Sequence, residues 1–396
     1  MRSLKYHSTL RQGLRTDGPV GPFRTMLLEN VVEEFRAAEW SIPEDFMQFS
    51  HFERVVASLD WTSSPGYPYM RRAPSNRDLF KVVEGVPNPE RVAHMWGIVQ
   101  MRLAARDSDP IRLFIKSEPH KLKKLEDGRY RLISSVSVVD QIIDHMLFGT
   151  FNEKVVENWP YVPSKVGWSP YLGGWRSIPF SGNWLALDKQ SWDWTLQPWM
   201  IELVLEARFK LCTNVTEEWL DLATWRYKEL FVNPVFITSG GFLFRQVNPG
   251  VMKSGCVNTI IDNSICQVIL HHRVCQELDI IPGSIMCMGD DTLQEIPERL
   301  REYVDLMGSF CKVKDPVFKT EFAGMHFRGC RIEPSYRGKH AFVLLHADQK
   351  IFPSLADSYA LLYHRSNYGN IVKRVLSLMG HSGVSDAKLD AIVDGC

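Results

Sequence analysis

Asp290 and Asp291 follow Gly289 in the run Ile285-Met-Cys-Met-Gly-Asp-Asp-Thr-Leu293, where apolar residues flank a polar tip. That pattern predicts two short buried strands joined by a tight turn. Adjacent carboxylates held on such a turn are hard oxygen ligands suited to Mg²⁺. The chemistry they favour is nucleotidyl transfer. A solvated turn uses the same residue types, so the surroundings decide.

A second set of carboxylates lies in Leu185-Ala-Leu-Asp188-Lys-Gln-Ser-Trp-Asp193. A short apolar strand would deliver Asp188 at its C-terminal end, where a metal ligand could meet Asp290 from a neighbouring turn. Asp193 follows as the chain turns into a predicted helix over Pro198–Lys210, in reach of a sugar rather than a metal. The plainer alternative is a helix start with capping acids. In Asn248-Pro-Gly-Val-Met-Lys-Ser254-Gly255-Cys-Val-Asn-Thr259-Ile-Ile-Asp-Asn263, Gly250 and Gly255 make a pliable loop, with a helix beginning just after Ser254. Thr259 and Asn263, four apart, share one helix face. Such a stripe either meets a ligand or bonds nearby backbone.

Positive charge gathers between Arg112 and Arg131, with seven Lys or Arg against three acids. Strands are predicted over Arg112–Lys116 and Arg129–Ser134, flanking a basic turn in which Leu122 and Leu125 are expected to pack and aim the cations into a channel for a triphosphate. Thr62-Ser-Ser64-Pro-Gly66-Tyr-Pro-Tyr69 is a stiff turn able to track a single strand, or an ordinary loop.

These groups need a scaffold. An amphipathic helix is predicted over Met26–Trp40, a helix over Val136–Val156 with Asp140 and Asp144 on one face, and a Trp- and Gly-rich connector over Trp159–Gly182. A hairpin is expected over Phe231–Val247 about Ser239-Gly240-Gly241, a helix over Pro297–Met307, an edge strand over Gly308–Val313 with Lys312 and Lys314, and a tight hairpin over Thr320–Arg328. The tail from Pro334 reads as a small, mostly helical subdomain.

The chain has 396 residues, enough for two or three subdomains, and a hydrophobic content of 45%, which excludes wholesale disorder. Its formal charge is zero, so contact with nucleic acid must come from local clusters. Cys212, Cys256, Cys266, Cys275, Cys287, Cys311, Cys330 and Cys396 form no C-x-x-C pair and read as buried free thiols of a reducing compartment. His271, His272 and Cys275 lack a second ligand pair and read as helix residues rather than a zinc site. No leader or membrane span is expected.

Taken together, the basic finger, Asp-x4-Asp, Ser-Gly-x3-Thr-x3-Asn, Gly-Asp-Asp and the Glu-Phe hairpin resemble viral RNA-dependent RNA polymerases. More narrowly, Phe114-Ile-Lys-Ser-Glu-Pro-His-Lys, Arg129-Tyr-Arg-Leu-Ile-Ser-Ser-Val-Ser and Val139-Asp-Gln resemble the sobemovirus and polerovirus enzymes. The resemblance runs from about Ser63 to Arg328. It implies an α+β right hand, with fingers over residues 1–180 and 205–250, a palm with an antiparallel sheet over 181–204 and 251–328, and a small helical thumb over 329–396.

The resemblance further implies that Asp188, Asp290 and Asp291 bind two Mg²⁺ ions, with Mn²⁺ as a substitute. Asp193, Asn263, Ser254 and Thr259 would read the ribose, and Lys116, Lys124 and Arg131 would hold the triphosphate. Ser64, Gly66 and Gly255 would contact RNA. Lys312, or alternatively Lys314, would protonate pyrophosphate. Met325–Arg328 matches the primer-grip hairpin less well, because Ala323-Gly324 stands where the family often has Cys-Ser. Expected partners are template and nascent RNA, ribonucleoside triphosphates, a genome-linked protein primer and other viral replication proteins, at membrane-associated complexes in the host cytoplasm. Two rivals stand beside this reading. A reverse transcriptase needs a bulky residue against the 2′-hydroxyl, where this chain has Asp193. A non-catalytic RNA-binding scaffold would not require the full set of carboxylates and Asn263.

Overall fold

A computed structural model describes residues 2–179 and 183–395. At its centre, helix Thr259–Glu277 is buried from Ile261 to Cys275. A helix buried on every side belongs in an interior, and its polar groups there need partners. Helices Gly21–Glu34 and Pro198–Lys210 pack along it, and a sheet lies against another side. The Pro198–Lys210 helix has the bounds its sequence predicts, with Pro at its first position and Arg208 and Lys210 in its last turn. The Met26–Trp40 prediction is met by Gly21–Glu34, followed by a 3₁₀ turn at Arg36–Ala38.

The strands are β1 (Ile111–Ile115), β2 (Leu132–Ser135), β3 (Trp184–Ala186), β4 (Lys189–Gln190), β5 (Val235–Thr238), β6 (Leu243–Arg245), β7 (Ile285–Met288), β8 (Asp291–Glu295), β9 (Lys312–Val313), β10 (Glu321–Phe322), β11 (Met325–Arg328) and β12 (Arg331–Pro334). The sheet on the central helix has the order β3-β8-β7 and is antiparallel throughout. A second sheet, β2-β1-β5-β6, joins the basic segment to the predicted hairpin, with β1 and β5 parallel. Strands β10-β11-β12 form a third sheet, and β4 pairs with β9.

Leu122 and Leu125 do not anchor the basic turn. They lie on a short helix, Leu122–Glu126, and both are exposed, Leu122 at 76%. The C-terminal tail is helical and packs in two places. Helices Arg337–Leu345, Phe352–Tyr363 and Gly369–Leu378 share a small core, but helix Asp386–Asp394 returns to the connector. There Val393 packs among Trp168, Ile178, Phe322 and Phe327, and Leu172 and Gly173 donate to the carbonyls of Ile392 and Val393 at 2.8 and 2.9 Å.

Of the described cysteines, Cys330 is exposed and Cys212 half-buried, which corrects the expectation that all are buried; the other five are buried free thiols. Cys396 and the expected finger–palm boundary at 180/181 lie outside the described residues. His271 is a core residue bonded to Tyr303 Oη (2.7 Å) and Gly283 O (2.9 Å), and burial pushes it down to about 3, so it stays neutral. Among the described residues no helix is long and apolar enough to cross a membrane.

Two buried ion pairs cross-link the helices. Arg208 bonds Asp262 at 2.6 Å, with both side chains fully buried, while Tyr227 Oη donates to the other Asp262 oxygen at 2.9 Å. Breaking a buried pair from one side strands a charge and costs about 3–5 kcal/mol. Arg208→Met is therefore expected to lower unfolding stability by about that amount, measured by urea denaturation, and a loss below 1 kcal/mol would mean the pair is dispensable.

The second pair joins Arg226 to Asp144 (2.6 Å) and Asp140 (3.5 Å) on helix Val138–Glu157. Burial outweighs Arg226 and pushes the Asp140 carboxyl from its ordinary 3.8 up to about 7. A raised carboxyl favours the folded state most fully below about 4, and that contribution is lost as pH rises through 7. Between pH 5 and 8 the melting temperature of wild type should therefore fall relative to Asp140→Asn. A constant difference would remove Asp140 as the titrating group.

Candidate active site

The β7–β8 turn carries the central pair. Gly289 has φ +66°, a conformation that disfavours side chains, and Met288 pairs with Asp291 across the turn. The central helix holds the tip. Ser264 Oγ accepts from the Gly289 N–H (2.9 Å), and Gln267 Nε2 donates to the carbonyls of Gly289 (3.4 Å) and Asp290 (3.3 Å). Neither residue was singled out from the sequence. The Asp290 carboxylate is left exposed at the tip, and Asp291 is half-buried.

Asp188 arrives from the neighbouring strand. Ala186 pairs with Leu293, and the Leu187 N–H donates to Thr292 O at 3.3 Å, so the next step along the register brings Asp188 beside Asp291. Beneath them Lys189 is buried, its Nζ donating to Leu187 O (3.3 Å) and Thr292 Oγ1 (3.2 Å). Burial pulls this lysine down to about 8, opposed by Cys311 and Cys287 and then by Asp188 and Asp290. Asp291 is pushed up to about 6 by burial first, then by Asp290, Asp188 and Glu321. Three carboxylates in one another's field are hard oxygen donors that a divalent cation would neutralise. As the side chains stand, no three such groups among the described residues converge into a finished ion cage.

Lys314, rather than Lys312, stands against Asp188. Its N–H donates to Asp188 O at 2.9 Å and its ammonium pairs with the Asp188 carboxylate, whereas Lys312 pairs with Gln190 along the β4–β9 edge. Tyr336 also lies in the field of the three aspartates and Glu321.

Asp193 sits on the short helix Trp192–Thr195, and Asn263 Nδ2 donates to its Oδ1 at 2.8 Å. Burial pushes Asp193 up to about 6, with the Asn263 bond, Arg131 and Lys253 opposing. Asn263 is 4% exposed, and its Oδ1 has no partner among the described residues. These are two of the residues that the resemblance assigns to the ribose.

The other candidates divide. Thr259 starts the central helix and donates to the carbonyls of Lys253 (2.7 Å) and Cys256 (2.8 Å), so it bonds backbone, as the alternative reading had it. Ser254 Oγ accepts from the Ser134 N–H (3.0 Å), and Gly255 bridges Ser135 where a Cβ would come within 2.5 Å of Ser134 O. Gly66, at φ +67°, has a similar constraint: a Cβ there would meet Val136 O at 2.6 Å, while Ser64 Oγ accepts from the Gly66 N–H at 3.4 Å. Gly66 and Gly255 thus approach the backbone between Ser134 and Ser137. Lys116 and Arg131 converge on Glu118 at 3.3 and 3.4 Å, and Arg131 reaches the field of Asp193. Lys124 is exposed on the short helix, where its charge reaches His7.

An antiparallel sheet backed by helices, carrying carboxylates from two adjacent strands under a basic finger, is the arrangement of a right-hand nucleic-acid polymerase. The family model described as viral RNA-dependent RNA polymerase matches residues 47–313, and the chain belongs to that family. Among its relatives, the replicase polyprotein P2AB of Southern cowpea mosaic virus is 31% identical over 310 residues, covering 72% of this chain and 31% of the relative. Protein P1-P2 of Potato leafroll virus (strain Potato/Scotland/strain 1/1984) is 35% identical over 328 residues, covering 73% of this chain and 30% of the relative. The chain thus spans about a third of the length of these relatives, which are of the group its motifs resemble. The solved Sicinivirus 3Dpol RNA-dependent RNA polymerase has a like fold, with TM-score 0.72 at 18% identity over 98% of this chain and 88% of that one.

Proposed function

We propose that this chain replicates a positive-strand viral RNA genome by template-directed addition of ribonucleotides. The observation that carries the reading is the meeting of Asp188, Asp290 and Asp291 at adjacent strand ends, with the Asp193–Asn263 pair alongside. Asp188, Asp290 and Asp291 would hold two Mg²⁺ ions, or Mn²⁺ in their place, which lower the pKa of a primer 3′-hydroxyl and neutralise charge on leaving pyrophosphate. Lys116 and Arg131 would bind the triphosphate oxygens, and their anchorage on Glu118 orients them beforehand. Lys314, beside Asp188, would hold the proton given to pyrophosphate. Asp193 would accept a hydrogen bond from the ribose hydroxyl while Asn263 keeps its carboxylate in place.

In this reading residues 1–180 and 205–250 are fingers, 181–204 and 251–328 palm, and 329–396 thumb. The RNA template and product lie across the palm, recognised by backbone and 2′-hydroxyl rather than by base. A genome-linked protein primer, other viral replication proteins and a membrane-associated cytoplasmic site follow from the family resemblance. The test is extension of a short primed RNA by the purified protein with Mg²⁺. Ribonucleotide-only extension is expected, deoxyribonucleotide use would favour a reverse transcriptase, and no extension with or without primer, in Mg²⁺ or Mn²⁺, would favour the scaffold.

A further inference from the structure

The last turn of helix Asp386–Asp394 closes one side of a cleft of about 550 Å³. Its other walls are the single-turn helix Gly174–Ser177, the β11–β12 turn, and Arg365 just beyond helix Phe352–Tyr363. Three guanidinium groups, of Arg176, Arg331 and Arg365, share this space with one carboxylate, Asp394. Asp394 Oδ1 accepts from Arg176 and from Trp175 Nε1, both at 3.2 Å, while Arg365 takes the other oxygen. Arg176 and Arg365 also lie over the Trp175 ring, at 4.8 and 5.6 Å from its centre, so two forks are held in place before any ligand arrives. Arg331 is exposed and makes no ion pair or side-chain hydrogen bond among the described residues.

A pocket where guanidinium forks meet an oxyanion in the resting fold has the chemistry of a phosphate site, because the same planar donors match phosphate oxygens. Beside it Asp386 and Asp390, on the same helix as Asp394, already pair with Lys373, His364 and Arg365, so Arg331 is the guanidinium left for a further oxyanion among the described residues. The cleft is shallow and open to solvent, with more room than phosphate alone needs. Its position separates it from the aspartates. Met325 and Pro334 pair at the end of the β11–β12 hairpin near Tyr336, and Arg328 and Arg331 pair at the other, about 10 Å along the strands.

We propose that this cleft is a second phosphate-binding site, which takes the phosphate of a nucleotide or of an RNA strand. Cys330, exposed within it, is a local reporter. The rate of Cys330 alkylation in the full chain, read peptide by peptide with divalent ions chelated, should fall about fivefold at saturating ligand. The ligands are AMP and a 5′-phosphorylated RNA hexamer, with adenosine as the control. Protection by AMP alone identifies a nucleotide site, by the hexamer alone an RNA-strand site, and by both a site for phosphate in either setting. In each case Arg331→Ala, an exposed change, should remove the protection while leaving Cys212 alkylation unchanged. Absence of protection by both ligands, equal protection by adenosine, or undiminished protection in Arg331→Ala would overturn the proposal.

Discussion

Asp290→Asn is expected to lower RNA extension by about 10³-fold or more while leaving RNA binding and melting temperature near those of wild type. The asymmetry follows from where the side chain sits. Asp290 is exposed, and the turn beneath it is held through backbone groups by Ser264 and Gln267, so an isosteric amide disturbs no packing. What the amide removes is a carboxylate from the cluster proposed to hold Mg²⁺. Loss of several kcal/mol of charge stabilisation at a reacting centre corresponds to about three powers of ten in rate. Asp188→Asn should act in the same direction, with the added effect of releasing Lys314 from its partner. Single-turnover extension and filter binding on the same preparations check both. Extension at the wild-type rate by folded Asp290→Asn would mean that the cluster is not the reaction centre. Loss of RNA binding in parallel would make the residue structural instead.

Local pattern carried part of this structure into view from the chain alone. The Ile285–Leu293 run is legible because both strands are short and adjacent in the chain, so pairing them needs no knowledge of the rest of the fold. The Pro198–Lys210 helix is legible for a similar reason: its start and its last turn carry their own signals. Legibility fails where distant segments decide. Nothing local marks Lys189, next to Gln190 in a polar stretch, as buried; the pairing of Leu187 with Thr292, 105 residues on, roofs it over. Arg208 and Asp262 are 54 residues apart, and neither marks the other in sequence. Leu122 and Leu125 look like anchors because apolar residues in a basic turn invite burial, but no element of the described chain covers them. Glu118 is the opposite case, an acid in a basic run whose value as a clamp for Lys116 and Arg131 appears only when β1 and β2 are paired. Within the candidate site, the aspartates are marked by type and spacing, and Asn263 by its face of the helix and the family resemblance. Thr259 was not separable from Asn263 by spacing, because only the local turn shows its hydroxyl spent on the Lys253 and Cys256 carbonyls.

The second large effect concerns the sugar. Asp193→Ala should reduce the preference for ribonucleotides over deoxyribonucleotides by about 10²-fold, through a fall in kcat/KM for ribonucleotides with little change for deoxyribonucleotides. A hydrogen bond from a hydroxyl to a charged, water-poor acceptor contributes about 1.5–3 kcal/mol, which sets that scale. Asn263→Leu should give a smaller loss, about tenfold, since the carboxylate stays but the Nδ2 donor that orients it at 2.8 Å is gone. The same geometry fixes a pH dependence. Burial raises Asp193 to about 6, so the carboxylate is ionised above that pH and accepts best there, and it is protonated below. Ribonucleotide preference in wild type should therefore rise as pH increases from 5 to 7, and the rise should vanish in Asp193→Ala. Competition of matched ribo- and deoxyribonucleotides for one primer terminus across that range measures it directly. An unchanged preference in Asp193→Ala, or a pH response that survives the substitution, would move sugar selection to another residue.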